Sequence, residues 1–429
     1  MIRVIEALNF RCLRYIRQPL GPFHVLVGPN ASGKTSLLDV PAFIYSLFQN
    51  GLEKAVRERS DNILDLIWRN SQDQLTPALN HFELAIEFSL PDDIGNGGGN
   101  ALRYCVAVGL DHTRLALTVR REELRILRPG DSPPEMGGEI PGTIFYGQGE
   151  LISPGGMGQR TKAANGADSA LPLTSSDQPV ATSSLNPFNM EGLLANGVSR
   201  DSFFRQPLAM YHGNAVKCVE FLYKAFCTLV TLHDADLRKP SPPGHGITTR
   251  WTGENLPNIV DHLSKFAPER FDLWQRHLRT ALPDLESVRL YTRQEDRKQF
   301  LSVAMKNGCE FPQWSLSEGT LDLLALTVLA YLPSQASTQT FMVEEPESHI
   351  HPLNIEVVFQ SLSSVYEGQV LISTHSPTVL ALADPATVLV FSRDLEGGTQ
   401  IVRGDRHPRL RDWQGEMDLA TLYATGVLG

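Results

Sequence analysis

The run Gly28-Pro29-Asn30-Ala31-Ser32-Gly33-Lys34-Thr35 has two glycines, a lysine and a hydroxyl residue at the spacing of a phosphate-binding loop. Glycines let the backbone curl so that successive N–H groups face an anion. A lysine there neutralises phosphate oxygens, and a threonine hydroxyl can ligate Mg²⁺. Gly28, Asn30, Ala31, Ser32, Gly33, Lys34, Thr35 and Ser36 are therefore expected to surround bound phosphates. Such a loop works only between a strand and a helix. FHVLVG at 23–28 reads as the strand, and SLLDVPAFIYSLF as the helix beginning at Lys34.

Carboxylates and a histidine supply the remaining chemistry. Thr340-Phe341-Met342-Val343-Glu344-Glu345 is an apolar strand ending in two acids, which leave a strand terminus on different sides. Beside a phosphate loop, Glu344 is expected to hold Mg²⁺ with Thr35, and Glu345 to orient or deprotonate an attacking water. Val370-Leu371-Ile372-Ser373-Thr374-His375-Ser376 is a second apolar strand, and His375 at its end is expected to contact a terminal phosphate. Between the loop and these strands, Ser317 and Gly319 stand at the start of LDLLALTVLAYL, a helix so continuously apolar that it must be buried.

The elements that position these residues follow from periodicity. Alternating runs at 82–90, 103–110 and 114–120 read as an antiparallel meander after the first helix, with DDIGNGGGN at 92–100 as a turn. Residues 153–187 are rich in Gly, Ser, Thr, Ala, Pro and Asn and carry few large apolar side chains, the composition of a long surface loop or a disordered insert. Helical periodicity covers 214–233 and 255–282. The β/α pattern returns with strands at 287–291, 299–305, 339–344, 369–373 and 387–391. The expected organisation is an N-terminal half with the phosphate loop (1–150), a loop and helical insertion (151–284), and a C-terminal half with the acidic and histidine strands (285–429).

Composition narrows the class. The net charge of −10 argues against an overall basic surface, although Arg3, Arg11, Arg14 and Arg17 stand close together, as do Arg120, Arg121, Arg125 and Arg128. Five scattered cysteines form no C-x-x-C pair, which argues against a disulfide framework or a zinc site and for a reducing compartment. No secretory leader is legible at the N-terminus. The apolar run Leu323–Leu332 is about half the length of a bilayer span, so a cytoplasmic protein without a membrane segment is expected.

Leu316-Ser317-Glu318-Gly319-Thr320 resembles a variant of the signature of ABC-type ATPases. The order phosphate loop, signature, acidic strand, histidine loop is also that of the ABC/SMC superfamily. Glu344-Glu345-Pro346-Glu347-Ser348-His349-Ile350-His351-Pro352 resembles the E-E-P-E-x-x-x-H-P form of OLD-like and RecF-like ATPases, many of them encoded in anti-phage defence systems. The resemblance covers residues 1–50 and 285–395. It implies an α/β ABC-type head, a P-loop NTPase with an antiparallel β portion and a mid-chain helical insertion, that uses ATP and Mg²⁺. It also implies a homodimer or higher oligomer in which Ser317 and Gly319 of one subunit meet the γ-phosphate held by the other. Gln148, in FYGQGEL, is the candidate for the family's Q-loop glutamine. Glu318 replaces a signature glycine and Glu344 replaces the more usual aspartate, which implies slow hydrolysis. The TOPRIM nuclease of OLD proteins follows the histidine loop, and only 54 residues follow His375 here, so the effector is expected on a separate polypeptide. Loading on DNA in the manner of RecF, or holding ATP without turnover, are the alternative expectations.

Overall fold

The computed structural model describes residues 1–69, 80–91, 94, 100–111, 116–133, 135–137, 214–227, 229–230, 237–242, 253–332, 339–366 and 368–408. Gln148 and the 153–187 segment lie outside these residues.

Strand β3 (Phe23–Val27) owes its central place to a side-chain alternation that serves two cores. Val25 and Val27 point into one, Leu26 into the other, and all three are fully buried. Its neighbours repeat the division. In β11 (Gln339–Glu344), Phe341 and Val343 face the side of Val25, and Met342 faces the side of Leu26. In β12 (Gly368–Ser373) the same holds for Val370 and Ile372 against Leu371. Strands buried on both faces require cover on both, and near-continuous apolar runs are how such strands read in sequence. With β7 (Leu229–Val230), β13 (Val388–Arg393) and β14 (Thr399–Arg403) they make a six-stranded sheet in the order β14-β13-β3-β12-β11-β7, parallel except at β13/β14.

One face of that sheet carries α1 (Lys34–Asn50), and beyond α1 lies a five-stranded antiparallel sheet in the order β2-β1-β4-β5-β6. Its strands are β1 (Ile2–Phe10), β2 (Leu13–Pro19), β4 (His81–Ser89), β5 (Ala101–Asp111) and β6 (Ala116–Leu127). Helix α1 is wedged between the sheets through Phe43, Ile44, Leu47 and Phe48, with Phe43 edge-on to Phe10 and Phe82. The helix α2 (Leu52–Arg57) and the helix α3 (Asn214–Cys227) extend this core through Val56, Val219 and Leu222. Gln369 locks the two sheets together. Its buried amide accepts from Ile2 N (3.0 Å) and donates to Ile2 O (2.8 Å) and Gly21 O (2.7 Å).

The second face is covered by α4 (Leu256–Phe266), α5 (Pro268–Ala281), α6 (Glu318–Val328), α7 (Ile355–Ser363) and α8 (Pro377–Leu382), together with a three-stranded sheet, β10 (Glu310–Pro312), β9 (Gln299–Met305) and β8 (Leu285–Thr292). The helical stretch expected over 255–282 breaks at Ala267, where Pro268 cannot continue the preceding hydrogen-bond ladder. Trp274 of α5 is fully buried, and its indole N–H donates to Thr327 Oγ1 of α6 at 2.9 Å.

The structure departs from the sequence-based expectation in three elements. The antiparallel sheet begins before the phosphate loop, with β1 and β2, and is not only a meander after α1. The third meander strand, expected to stop near 120, continues to Leu127 through the charged tract RREEL. The helix expected over 214–233 ends at Cys227, and Leu229–Val230 is an edge strand of the parallel sheet. The first two differences have the same cause. Charged side chains on the face of the antiparallel sheet turned away from α1 are largely buried and pair across strands: Arg103 lies 2.7 Å from Glu6 and 2.8 Å from Glu87, and Arg121 lies 2.8 Å from Glu83. A strand whose outward face is a ladder of ion pairs reads as a solvated surface when taken one strand at a time.

Candidate active site

Three parallel strands end on the same sheet edge. Glu344 is opposite Ser373, and Ser373 is opposite Leu26, so the segments after β3, β12 and β11 emerge side by side. The carboxyl ends of parallel strands are where α/β proteins place their ligands. Here that edge carries the glycine-rich loop, His375 and the two glutamates.

The loop is shaped by positive φ angles at Gly28 (149°), Ala31 (61°) and Gly33 (111°). A β-carbon at Gly28 would stand 2.3 Å from the Phe391 carbonyl oxygen, and one at Gly33 would stand 2.4 Å from Thr399 Oγ1, so both positions need glycine for space as well as for conformation. The curl is braced from the neighbouring strands, with Arg393 Nε donating to Ala31 O and Thr399 Oγ1 to Ser32 O. Lys34 is buried, and its ammonium donates to Gly28 O at 2.7 Å and Pro29 O at 3.1 Å. Burial pulls this amine below the usual lysine range, while the nearby charges of Glu345 and Glu344 oppose that shift.

Thr35 Oγ1 donates to Glu344 Oε2 at 3.2 Å, which brings the first turn of α1 to the end of β11. The Glu344 carboxyl is pushed above the usual carboxylate range by desolvation, with the Thr35 hydrogen bond opposing and the charges of Asp39 and Glu345 adding. Glu345 sits at φ 45°, a left-handed conformation rare for a residue with a β-carbon. Its N–H donates to Ser373 O at 2.7 Å, and its Oε2 accepts from Ser348 Oγ at 3.1 Å, so the chain turns sharply out of the strand immediately after Glu344.

The residues present fit a nucleotide phosphate chain with Mg²⁺. The Ser32 hydroxyl is fully buried with no hydrogen-bond partner, at the centre of a loop that cannot accommodate β-carbons at either glycine. A hydroxyl and a carboxylate in contact, both on oxygen atoms, are the donor set a hard divalent cation takes. Ser36 is buried behind them and accepts from Cys12 Sγ at 3.3 Å, and Asn30 stands exposed on the outer side of the loop.

Ser317 caps α6, accepting from Thr320 N at 3.2 Å and sharing a 2.8 Å hydrogen bond with Thr320 Oγ1. Its side chain is exposed, at the end of a helix whose interior is buried. Gly319 has a role its sequence position did not indicate. A β-carbon there would stand 2.3 Å from His349 O, so this glycine lets α6 pack against the loop that follows β11.

That loop contributes two residues whose roles the sequence reading left unassigned. Oε1 of Glu347 accepts from Thr374 Oγ1 (2.5 Å), His375 N (3.2 Å) and Ser376 N (3.1 Å). His349 Nδ1 lies 3.1 Å from Asp322 Oδ2, and its Nε2 lies 3.9 Å from Glu318 Oε2, both carboxylates being on α6. Spacing gave no sign of either, since each partner lies 27 or more residues away.

Six of the eight clustered arginines are engaged within the chain. Arg11 pairs with Asp39, Arg14 with Glu396, Arg17 with Glu6 and Glu87, Arg121 with Glu83 and Arg125 with Glu123, while Arg120 donates to Asn80. No described helix is long and apolar enough to cross a membrane.

A phosphate loop, an acidic strand, a histidine strand and a serine-capped helix stand on a parallel sheet backed by an antiparallel sheet, the arrangement of a P-loop nucleotide-binding fold. A family model described as "AAA domain, putative AbiEii toxin, Type IV TA system" matches residues 223–381. A 38-residue stretch is 50% identical to an OLD nuclease of Thermus scotoductus, a match that spans 9% of this chain and 7% of that protein. Among solved structures, the chain is similar to an Smc head bound to the C-terminal winged-helix domain of ScpA (16% identity, 94% of this chain and 96% of that one, TM-score 0.49). It is also similar to the SMC head domain from Thermotoga maritima (13% identity, 94% and 98% covered, TM-score 0.41).

Proposed function

We propose that this chain binds and hydrolyses ATP with Mg²⁺, and that ATP joins two copies into a homodimer or higher oligomer. The observation that carries the reading is the Thr35–Glu344 contact beside a buried Lys34, because it unites the loop and the acidic strand at one point. Mg·ATP supplies a cleavable γ-phosphoryl group whose charge the metal partly neutralises. The loop amides and Lys34 hold the phosphates, and Thr35 and Glu344 hold the metal. Glu345 orients the attacking water and takes its proton, and His375 steadies the terminal phosphate. Ser317 and Gly319, at the exposed N-terminus of α6, present the signature to a nucleotide on the other subunit.

In this reading the oligomer is a switch whose ATP state controls a separately encoded effector in the cytoplasm, in anti-phage defence or DNA repair. Two similarities support it: the family model that carries a toxin's name, and the short match to an OLD nuclease. Direct loading on DNA is less favoured, because the arginines that would grip phosphates are engaged within the chain. Phosphate release by wild type and by Glu345→Gln, with and without duplex DNA, tests the assignment. Hydrolysis by wild type alone supports it. Binding without turnover in both proteins would make the chain an ATP-held scaffold, and absence of nucleotide binding would sink the reading.

A further inference from the structure

The histidine loop is held by one carboxylate oxygen. Oε1 of Glu347 accepts the Thr374 hydroxyl at 2.5 Å and the backbone N–H groups of His375 and Ser376 at 3.2 Å and 3.1 Å. Thr374 is fully buried, its own N–H donates to Leu26 O at 3.1 Å, and its hydroxyl also accepts from Ser376 N at 2.9 Å. The grip therefore joins all three strand ends: β11 through Glu347, β12 through Thr374, and β3 through Leu26. The other oxygen, Oε2, is buried with no partner. Burying half a carboxylate unpaired is costly, and three charge-assisted hydrogen bonds on the remaining oxygen are what offset it. Glu347 itself leaves the acidic strand in a fixed direction, because Glu345 N is tied to Ser373 O and Ile350, three residues on, is buried in the core.

We infer that Glu347 is a positioning residue for hydrolysis, fixing the His375 backbone relative to Glu345 so that the histidine and the water-orienting carboxylate keep one geometry. The inference rests on the ATPase reading above and extends it to a residue outside the phosphate and metal contacts. Displacement of a catalytic group by about 1 Å is enough to lower turnover on the order of a hundredfold while leaving binding intact. A glutamine at 347 keeps an acceptor for the three donors but places an amide where Oε2 is buried, so it restores the grip in part. Alanine removes the grip.

The test uses the full chain and four variants: Glu347→Ala, Glu347→Gln, His375→Ala, and the double variant Glu347→Ala with His375→Ala. ATP hydrolysis (kcat and KM) and thermal melting are measured for each. Glu347→Ala is expected to lower kcat about ten- to a hundredfold with KM within about twofold, and Glu347→Gln to recover part of that loss. The double variant is expected to be no slower than His375→Ala alone, because the grip acts only through the histidine. Equal fractional losses from Glu347→Ala in the wild-type and His375→Ala backgrounds would overturn the inference, as would a loss confined to KM. If alanine destabilises the chain, the glutamine variant in both backgrounds gives the same comparison. A wild type that hydrolyses nothing would remove the ATPase reading and this inference with it. A His375→Ala variant as fast as wild type would remove the inference alone.

Discussion

The hydroxyl of Thr35 meets the carboxylate of Glu344 at 3.2 Å across 309 residues of sequence. One residue opens the helix that follows the phosphate loop and the other closes the acidic strand. The sheet order β3-β12-β11 brings them together with the histidine strand between. The phosphate loop, the two glutamates and His375 all stand on that edge.

Lys34→Ala is expected to weaken ATP binding on the order of a hundredfold or more, since truncating one partner of a buried charge pair costs about 2–5 kcal/mol. Calorimetric titration with ATP and Mg²⁺ measures it directly. Unchanged affinity would mean that the loop is not the phosphate site.

Glu345→Gln keeps the shape and the Ser348 contact but removes the base, so binding is expected to persist while kcat falls on the order of a hundred- to a thousandfold. Single-turnover phosphate release separates the two effects. Turnover at the wild-type rate would move the water-orienting role to another carboxylate.

Gly319 tests packing before it tests any interface. Because a β-carbon there would press on the His349 carbonyl at 2.3 Å, Gly319→Ala is expected to cost about 1–3 kcal/mol of stability without nucleotide present. Ser317→Arg, at an exposed cap, is expected to cost about 1 kcal/mol, leaving the fold and the phosphate loop intact. Denaturant unfolding of both variants decides, and equal stability would show that α6 does not rest on the 346–351 loop as described.

His24 gives the chain a pH dependence with a definite sign. Its ring is buried, with Nε2 accepting from Gly21 N at 2.7 Å and Nδ1 facing Thr387 O at 3.0 Å, an arrangement that requires neutral imidazole. Burial holds its pKa below the ordinary 6.5. The unfolded chain therefore takes up the proton first as pH falls. The contribution is whole above 6.5 and is lost as pH falls from there through the folded value. His277, also lowered by burial, adds in the same direction. The melting temperature is expected to drop between about pH 7.5 and pH 5, and His24→Gln to flatten part of that slope. An identical slope in the variant would show that His24 does not carry it.

The elements that carry the candidate site were legible in the sequence because they depend on residue types at short range. The loop from Gly28 to Thr35, the acidic end of β11, His375 and the apolar helix α6 all lie where their spacing implied. What escaped depends on partners far along the chain. Strands β1, β2 and the second half of β6 carry charged side chains whose partners lie on other strands, as Arg103 with Glu6 and Glu87, Arg17 with Glu6, and Arg121 with Glu83. The arginine clusters hid for a related reason, since most of their carboxylates come from other elements. Glu347 and His349 lie within the stretch that carries the resemblance, but their partners in the histidine loop and α6 are legible only in the fold.

The proposed site shared between subunits is tested most directly by the mass of Glu345→Gln in solution with and without Mg·ATP, using light scattering at a concentration where the chain alone runs at 47.5 kDa. The expected result is a mass of twice that value or a higher multiple only when ATP is present, returning to 47.5 kDa when Ser317→Arg is added although ATP still binds the loop. A single-chain mass with ATP bound, or an oligomer indifferent to both ATP and Ser317, would contradict a nucleotide held between subunits.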